Sequence, residues 1–195
     1  MKRFHLILLM FIMILGGCSS RITPPDSVQM GWQKRLAAQT DWRVQGKVAF
    51  LSSQERQSAN FVWNYKEPFH DIKLTSFIGT QVLHLVESRG GVSLELPDDT
   101  FYGKNTAELL ARLTGLQLPV ADAEHWLTAT LTLHDARFDE QARLVSGTWL
   151  DQQGQVWQLN YQQYINQDGF FLPTRITLKN QDLTIKLNLS RWQFT

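Results

Sequence analysis

The side chains able to do chemistry are few and scattered. His70, His84, His125 and His134 are the imidazoles beyond the leading segment. Two histidines share a metal or a proton when they sit on one face of an element, two apart on a strand or three to four apart on a helix. No pair of these four has that spacing, so each reads as a surface or packing histidine. The acidic pairs offer no more: Asp98-Asp99 follows Pro97 in a turn-like stretch, and Asp139-Glu140 reads as a solvated loop. There is no G-x-S-x-G turn, no H-E-x-x-H helix and no C-x-x-C pair. Neither Gly46-Lys47 nor Gly103-Lys104 has the glycine five places upstream that a phosphate-binding loop requires. The expectation is a protein that is not an enzyme and holds no metal or nucleotide.

One residue carries chemistry of another kind. Cys18 is the sole cysteine, so no internal disulfide explains it. Before it, Met1-Lys2-Arg3 makes a short basic start and Phe4 to Leu15 an almost unbroken apolar run, long enough for a secretory signal and too short to span a bilayer. Leu15-Gly16-Gly17-Cys18 resembles the lipobox of bacterial lipoproteins, in which the cysteine takes a diacylglycerol thioether and an N-acyl chain such as palmitate. Ser19 follows, and the sorting rule for such lipoproteins sends a chain without Asp there to the outer membrane. Residues 1–17 are therefore expected to be removed, and the lipid on Cys18 to be the one cofactor-like group, anchoring a protein that faces the periplasm. Acyl burial at about 0.8 kcal/mol per methylene makes more than one chain a stable anchor.

Loss of Lys2 and Arg3 leaves 17 basic against 18 acidic residues, a formal charge of −1. No basic field exists to hold nucleic acid. Residues 18–26, with Pro24-Pro25, read as an extended tether, and residues 27–195 as a single domain. Ser27 is expected to cap a helix reaching about Gln39, packed through Trp32 and Leu36 with Lys34 and Arg35 outward.

From Arg43 the period changes to two. Val44, Gly46, Val48 and Phe50 share one face, and Ala59, Phe61, Trp63 and Tyr65 share another, which predicts a hairpin across Ser52 to Arg56. The pattern resumes in Ile72 to Thr75, Gln81 to Val86 and Val92 to Leu96. Two more hairpins are predicted: Leu144 to Leu150 with Val156 to Tyr164, and Arg175 to Lys179 with Leu183 to Trp192. Between them, Asn105-Thr106-Ala107-Glu108 reads as a capping box, Leu109, Leu110 and Leu113 as an apolar stripe, and Gly115 as the stop. A short helix starting near Pro119 is expected to carry Trp126 and Leu127. The fold class is thus mainly β: an incomplete, open antiparallel β-barrel with lid helices over its concave side.

Trp63, Trp149, Trp157 and Trp192 all fall on predicted strands. They either fill a core or line an apolar cavity, and composition leaves both readings open. Here resemblance adds what periodicity does not. Arg43-Val44-Gln45-Gly46-Lys47-Val48-Ala49-Phe50, Phe61-Val62-Trp63, the stretch "LLARLTGLQLPVADAEHWLTA" from Leu109 to Ala129 and "LPTRITLKNQDLTIKLNLSRW" from Leu172 to Trp192 together resemble the LolB family. That resemblance implies an outer-membrane lipoprotein that accepts other lipoproteins from the periplasmic carrier LolA into an apolar cavity and inserts them into the outer membrane, as a monomer. A carrier of free lipid or an envelope-assembly scaffold on the same open barrel is the alternative. From strand alternation the cavity lining is expected to comprise Phe50, Phe61, Trp63, Leu74, Leu83 and Leu85, with Trp149 and Trp157 added.

"KLTSFIGTQVLHL", Lys73 to Leu85, puts Phe77 and Ile78 at a turn, where small polar residues are usual. Either they fold back onto the sheet, or they project. The family resemblance implies projection: a protruding loop tipped by leucine in a Pro-Leu-Gly setting, whose counterpart here is Phe77-Ile78-Gly79. Ile78 takes the leucine's place, and Phe77 replaces proline, so the loop is expected to present two apolar groups to the membrane.

Overall fold

The structure is a computed structural model that describes residues 31–195. The signal segment, Cys18, the tether and Ser27 lie outside the described residues.

Eleven strands form one antiparallel sheet. Six belong to a first meander: β1 (Asp41–Ser52), β2 (Arg56–Lys66), β3 (Phe69–Thr75), β4 (Gln81–Ser88), β5 (Gly91–Glu95) and β6 (Thr100–Gly103). Five belong to a second: β7 (His134–Phe138), β8 (Leu144–Leu150), β9 (Val156–Gln167), β10 (Phe170–Lys179) and β11 (Leu183–Phe194). β11 pairs along nearly the whole of β1, which joins the two meanders in the order β6-β5-β4-β3-β2-β1-β11-β10-β9-β8-β7. β6 and β7 do not pair, so the barrel is open.

The seam between the meanders depends on one glycine. The β1–β11 register shifts between Gln45 and Gly46, and a Cβ at Gly46 would stand 2.1 Å from the Asn188 carbonyl oxygen. Any side chain there would force the bulged strand off its partner.

The predicted hairpins are present, and several strands are longer than predicted. β3 starts at Phe69 rather than Ile72, and β10 at Phe170 rather than Arg175. β6 and β7 were not expected. β6 has four residues, and β7 is broken by register shifts and by Asp135 at φ 50°, so neither displays enough alternation to be read.

Three helices complete the described chain: α1 (Trp32–Ala37), α2 (Thr106–Thr114) and α3 (Ala123–Thr128). α2 follows the sequence closely. Asn105 Oδ1 accepts the Glu108 N–H at 2.8 Å, and Gly115 stops the helix at φ 70°, donating to the Ala111 carbonyl at 2.9 Å. α1 is shorter than predicted. α3 begins at Ala123 instead of near Pro119, because the Pro119 carbonyl is turned to accept the Trp126 indole N–H at 2.7 Å.

α1 and α3 lie on β10 and against each other, and they fill that half of the concave face. Beneath them Trp157, Leu159, Leu172, Ile176 and Leu178 are fully buried, and Trp32 meets Phe171 edge-on at 5.4 Å. The Tyr161 hydroxyl donates to the Trp126 carbonyl at 2.8 Å, tying α3 to β9. Asp139 is no mere solvated residue: its carboxylate accepts from the Gln141 and Arg143 backbone N–H groups and from Arg143 Nε at 2.7 Å, closing the β7–β8 turn.

Candidate functional site: an apolar cavity beside an apolar loop

Among the described residues no helix lies flush on the sheet over β1 to β4. α2 packs on β5 and β6 near the edge, and the segment after it spans the gap. The space left is a cavity of about 560 Å³. Its sheet wall carries Phe50 from β1, Phe61 and Trp63 from β2, Leu74 from β3, and Leu83 and Leu85 from β4. Leu183, Ile185 and Leu187 of β11 continue that wall, and Leu110, Leu116, Leu118 and Trp126 form the cover. Ser52, Gln54, Glu55 and Gln57, at the β1–β2 turn, supply a polar rim.

The six residues predicted from the early strands therefore come together around one cavity. Trp149 and Trp157 do not join them. They face each other across the β8–β9 pair in the filled half, and the Trp157 indole N–H donates to Asp151 Oδ2 at 2.9 Å. Asp151 also accepts from the Gln153 and Gln155 backbone N–H groups, so both tryptophans belong to a closed turn and core rather than to the lining. Alternation places all eight side chains on the concave face; it does not say which part of that face the helices cover. The covering residues Leu116, Leu118 and Pro119 were missed, because a segment outside helix and strand has no period to read.

Apolar walls of this kind shelter hydrocarbon. Phe50, Leu74 and Leu83 are left half-buried, and a chain laid against them gains about 0.8 kcal/mol per buried methylene while restoring the dispersion contacts they lack.

Leu74 and Leu83 are cross-strand partners, and the loop at residues 76–80 begins just beyond them. The Ser76 N–H donates to the Thr80 carbonyl at 2.8 Å, the Gly79 N–H to the Ser76 carbonyl at 3.0 Å, and the Thr80 N–H to Ser76 Oγ at 3.2 Å. Asn60 Nδ2 ties the Ser76 carbonyl to β2 at 3.0 Å. Gly79, at φ 89°, supplies the left-handed residue that closes such a three-residue connection. The backbone is thus satisfied from within, and the two side chains at the tip project: Phe77 is 93% and Ile78 73% exposed. Of the two readings open from the sequence, the structure takes projection.

His70 and His125 each lie 3.8 Å from a different oxygen of the Glu124 carboxylate, and the other two histidines lie elsewhere. His84 Nε2 lies 2.9 Å from Asp71 Oδ1 on the neighbouring strand, and His134 is exposed on β7. His70 is buried and accepts the Trp63 indole N–H at Nδ1, at 3.0 Å. Burial pushes the His70 imidazole below its ordinary value of 6.5, against the Glu87 carboxylate, which favours the cation. Burial likewise raises Glu124, on α3, and pushes the Tyr65 hydroxyl beside His70 up to about 12. Among the described residues no group of three or more His, Cys, Asp or Glu side chains is arranged to hold a metal, and no helix is long and apolar enough to cross a membrane.

Comparison with known proteins matches this architecture. The family model for outer membrane lipoprotein LolB covers residues 40–192. An outer-membrane lipoprotein LolB of Pseudoalteromonas translucida is 37% identical over 192 residues, 98% of this chain and 95% of the relative. Those of Psychromonas ingrahamii and Aeromonas hydrophila are 35% and 31% identical over 198 and 188 residues, covering 98% and 94% of this chain and 96% and 93% of theirs. Among solved structures, a LolA superfamily protein from Nitrosomonas europaea superposes with a TM-score of 0.56 at 11% identity, over 87% of this chain and 92% of that one. An outer-membrane lipoprotein-sorting protein domain from Vibrio parahaemolyticus gives 0.53 at 12% identity, over 84% and 89%. These two share the fold. With the family model spanning most of the chain and relatives matched nearly end to end, the chain belongs to the LolB family of outer-membrane lipoproteins.

Proposed function

We propose that this protein accepts the acyl chains of other lipoproteins from a LolA-like periplasmic carrier into its apolar cavity and releases them into the outer membrane. It acts as a monomer and as a transfer protein rather than a catalyst. The lipid on Cys18 holds it at the inner leaflet, facing the periplasm. The observation that carries the reading is the adjacency of cavity and loop: the Leu74–Leu83 pair on the cavity wall is followed directly by a braced turn that holds Phe77 and Ile78 in solvent. Transfer runs downhill, because hydrocarbon leaves a cavity that holds it for a bilayer that holds it better.

Phe77 and Ile78 act at the release step. Their exposure makes substitution nearly free for the fold, within about 0.5 kcal/mol. Ile78→Glu, and more so the double change with Phe77→Glu, is expected to leave folding and cargo acceptance unchanged and to block delivery. The assay is reconstitution: carrier loaded with a lipoprotein, this protein, and liposomes, with acceptance and liposome-bound cargo counted separately. Normal delivery by the double variant sinks the role of the loop. Failure of the wild-type protein to take cargo from the carrier, with free lipid still bound, shifts the reading to a lipid carrier.

A further inference from the structure

We infer that His70 is a positioning residue that fixes the inner end of the apolar cavity, holding a partition of Trp63 and Trp126 between that cavity and a polar chamber behind it. This rests on the reading of the cavity as an acyl-chain site.

The chamber is a cleft of about 580 Å³, open to solvent at Glu108 and Gln152, in which His70, Glu87 and Thr106 supply polar groups between the apolar Ala111 and Val120. Val120 belongs to both walls, so at this point a single side chain separates hydrocarbon space from polar space. Trp63 and Trp126 close the apolar side, edge to face with ring centroids 6.0 Å apart. His70 stands behind Trp63 and faces the chamber.

The hydrogen bonds show what pins the partition. Nδ1 of His70 accepts the Trp63 indole N–H, so the neutral ring carries its proton on Nε2, which points towards Glu124 Oε2 of α3 at 3.8 Å. That distance is too long for a hydrogen bond, and Glu124 Oε2 is buried with no other partner among the described residues. The His70 backbone N–H donates to Glu87 Oε2 at 3.1 Å, while Glu87 Oε1 accepts from the Thr106 hydroxyl at the start of α2. The His70 ring is thus bonded to Trp63 of β2 and only approaches Glu124 of the lid helix α3, while its backbone N–H reaches the helix α2 through Glu87.

The charged and titratable groups around the ring are Tyr65 from β2, with ring centroids 5.0 Å apart, Glu87 from β4 and Glu124 from α3. Asp122 and His125 flank Glu124 on its own helix. Protonation of His70 puts a hydrogen on both ring nitrogens. The added proton sits on Nδ1, which then faces the indole N–H donor to donor, the Trp63 N–H loses its acceptor in a buried site, and the Nε2–H, now part of a cation, is drawn towards the Glu124 carboxylate. The partition loosens, and the apolar cavity gains depth.

Cavity depth is read as chain-length selectivity. The probes are fluorophore-tagged phosphatidylglycerols with decanoyl, myristoyl, palmitoyl and stearoyl chains, bound by the mature chain, residues 18–195, carrying Cys18→Ala so that no acyl anchor holds it in bilayers. In the wild-type background, affinity is expected to rise with chain length and then level off where the chain reaches the partition. His70→Leu removes the acceptor and is expected to raise the stearoyl-to-decanoyl affinity ratio by about threefold to tenfold. His70→Asn, whose amide oxygen stands near the place of Nδ1 and accepts the indole N–H, is expected to keep the plateau. Acidification past the lowered folded value of His70, which lies below 6.5, lifts the plateau with His70 present and leaves the His70→Asn protein unchanged. An unchanged ratio in His70→Leu, or His70→Asn responding to acid as the wild type does, overturns the assignment. If His70→Leu does not fold, the acid response of wild type against His70→Asn decides alone. Binding of no chain by the folded wild type overturns the acyl-site reading, and the partition role with it.

Discussion

The two halves of the sheet are built from the same alternating strands and end differently. Over β8 to β10, α1 and α3 lie directly on the concave face, and Trp157, Leu159, Leu172 and Ile176 lose all contact with solvent. Over β1 to β4 the same kind of face, with Phe50, Leu74 and Leu83, stays half-covered because α2 is displaced to β5 and β6. Close packing and open space are thus separated across one sheet. The filled half packs through to its helices, whereas the hollow half buries Val44, Trp63 and Leu85 yet keeps Phe50, Leu74 and Leu83 only partly covered.

Substitutions in the two halves are expected to have different costs. Trp157→Ala strikes the filled half and is expected to cost about 3–5 kcal/mol in chemical denaturation, since a large cavity opens where nothing can collapse into it. Asp151→Ala leaves the Trp157 indole N–H and two turn N–H groups without their acceptor, and about 2 kcal/mol of lost stability is expected in the same measurement. In the hollow half, Leu83→Trp is expected to change stability by less than about 1 kcal/mol, because the added volume enters empty space, yet to displace lipid probes. A loss as large as that of Trp157→Ala would show the cavity to be closed in solution. The smallest effect is the pH dependence. The folded-state value of His70 lies below 6.5, so its contribution is complete above 6.5 and is lost as pH falls from there towards the folded value. Glu124, raised from 4.5, acts in the opposite sense, since its folded form takes up a proton first and gains stability on acidification. Denaturation of a Glu124→Gln protein with and without His70→Asn isolates the histidine; identical acid slopes would leave it no such part.

Much of this was legible in the sequence, and the reason lies in the range of the signals. Phe61, Trp63, Leu83 and Leu85 announce their face by alternation within one strand, and Asn105, Glu108 and Gly115 announce both ends of α2 within a few residues. Trp149 and Trp157 show the same alternation, but whether a helix covers them is decided by α1 and α3, which are far from them in sequence. The His70–Glu124 approach spans β3 and α3, and nothing local at either residue points to the other. Phe77 and Ile78 stood out because they broke the chemistry expected of a turn. Their projection follows from the hydrogen bonds of Ser76 and Thr80 and the positive φ of Gly79.

A hollow barrel must also resist its own tendency to zip shut or to recruit a stranger. An open sheet presents two unsatisfied borders, each a template for another strand. Here one border is the four-residue β6, partly shielded by α2 and by Arg112 Nη2 donating to the Tyr102 carbonyl at 3.3 Å. The other is β7, five residues interrupted by the positive φ of Asp135 and by two slips in register. Neither offers a run long or regular enough for a full ladder. The stunted borders thus leave the barrel ajar while offering little to a further strand, and lengthening β7 into a regular strand is a direct route to sealing the barrel or polymerising it.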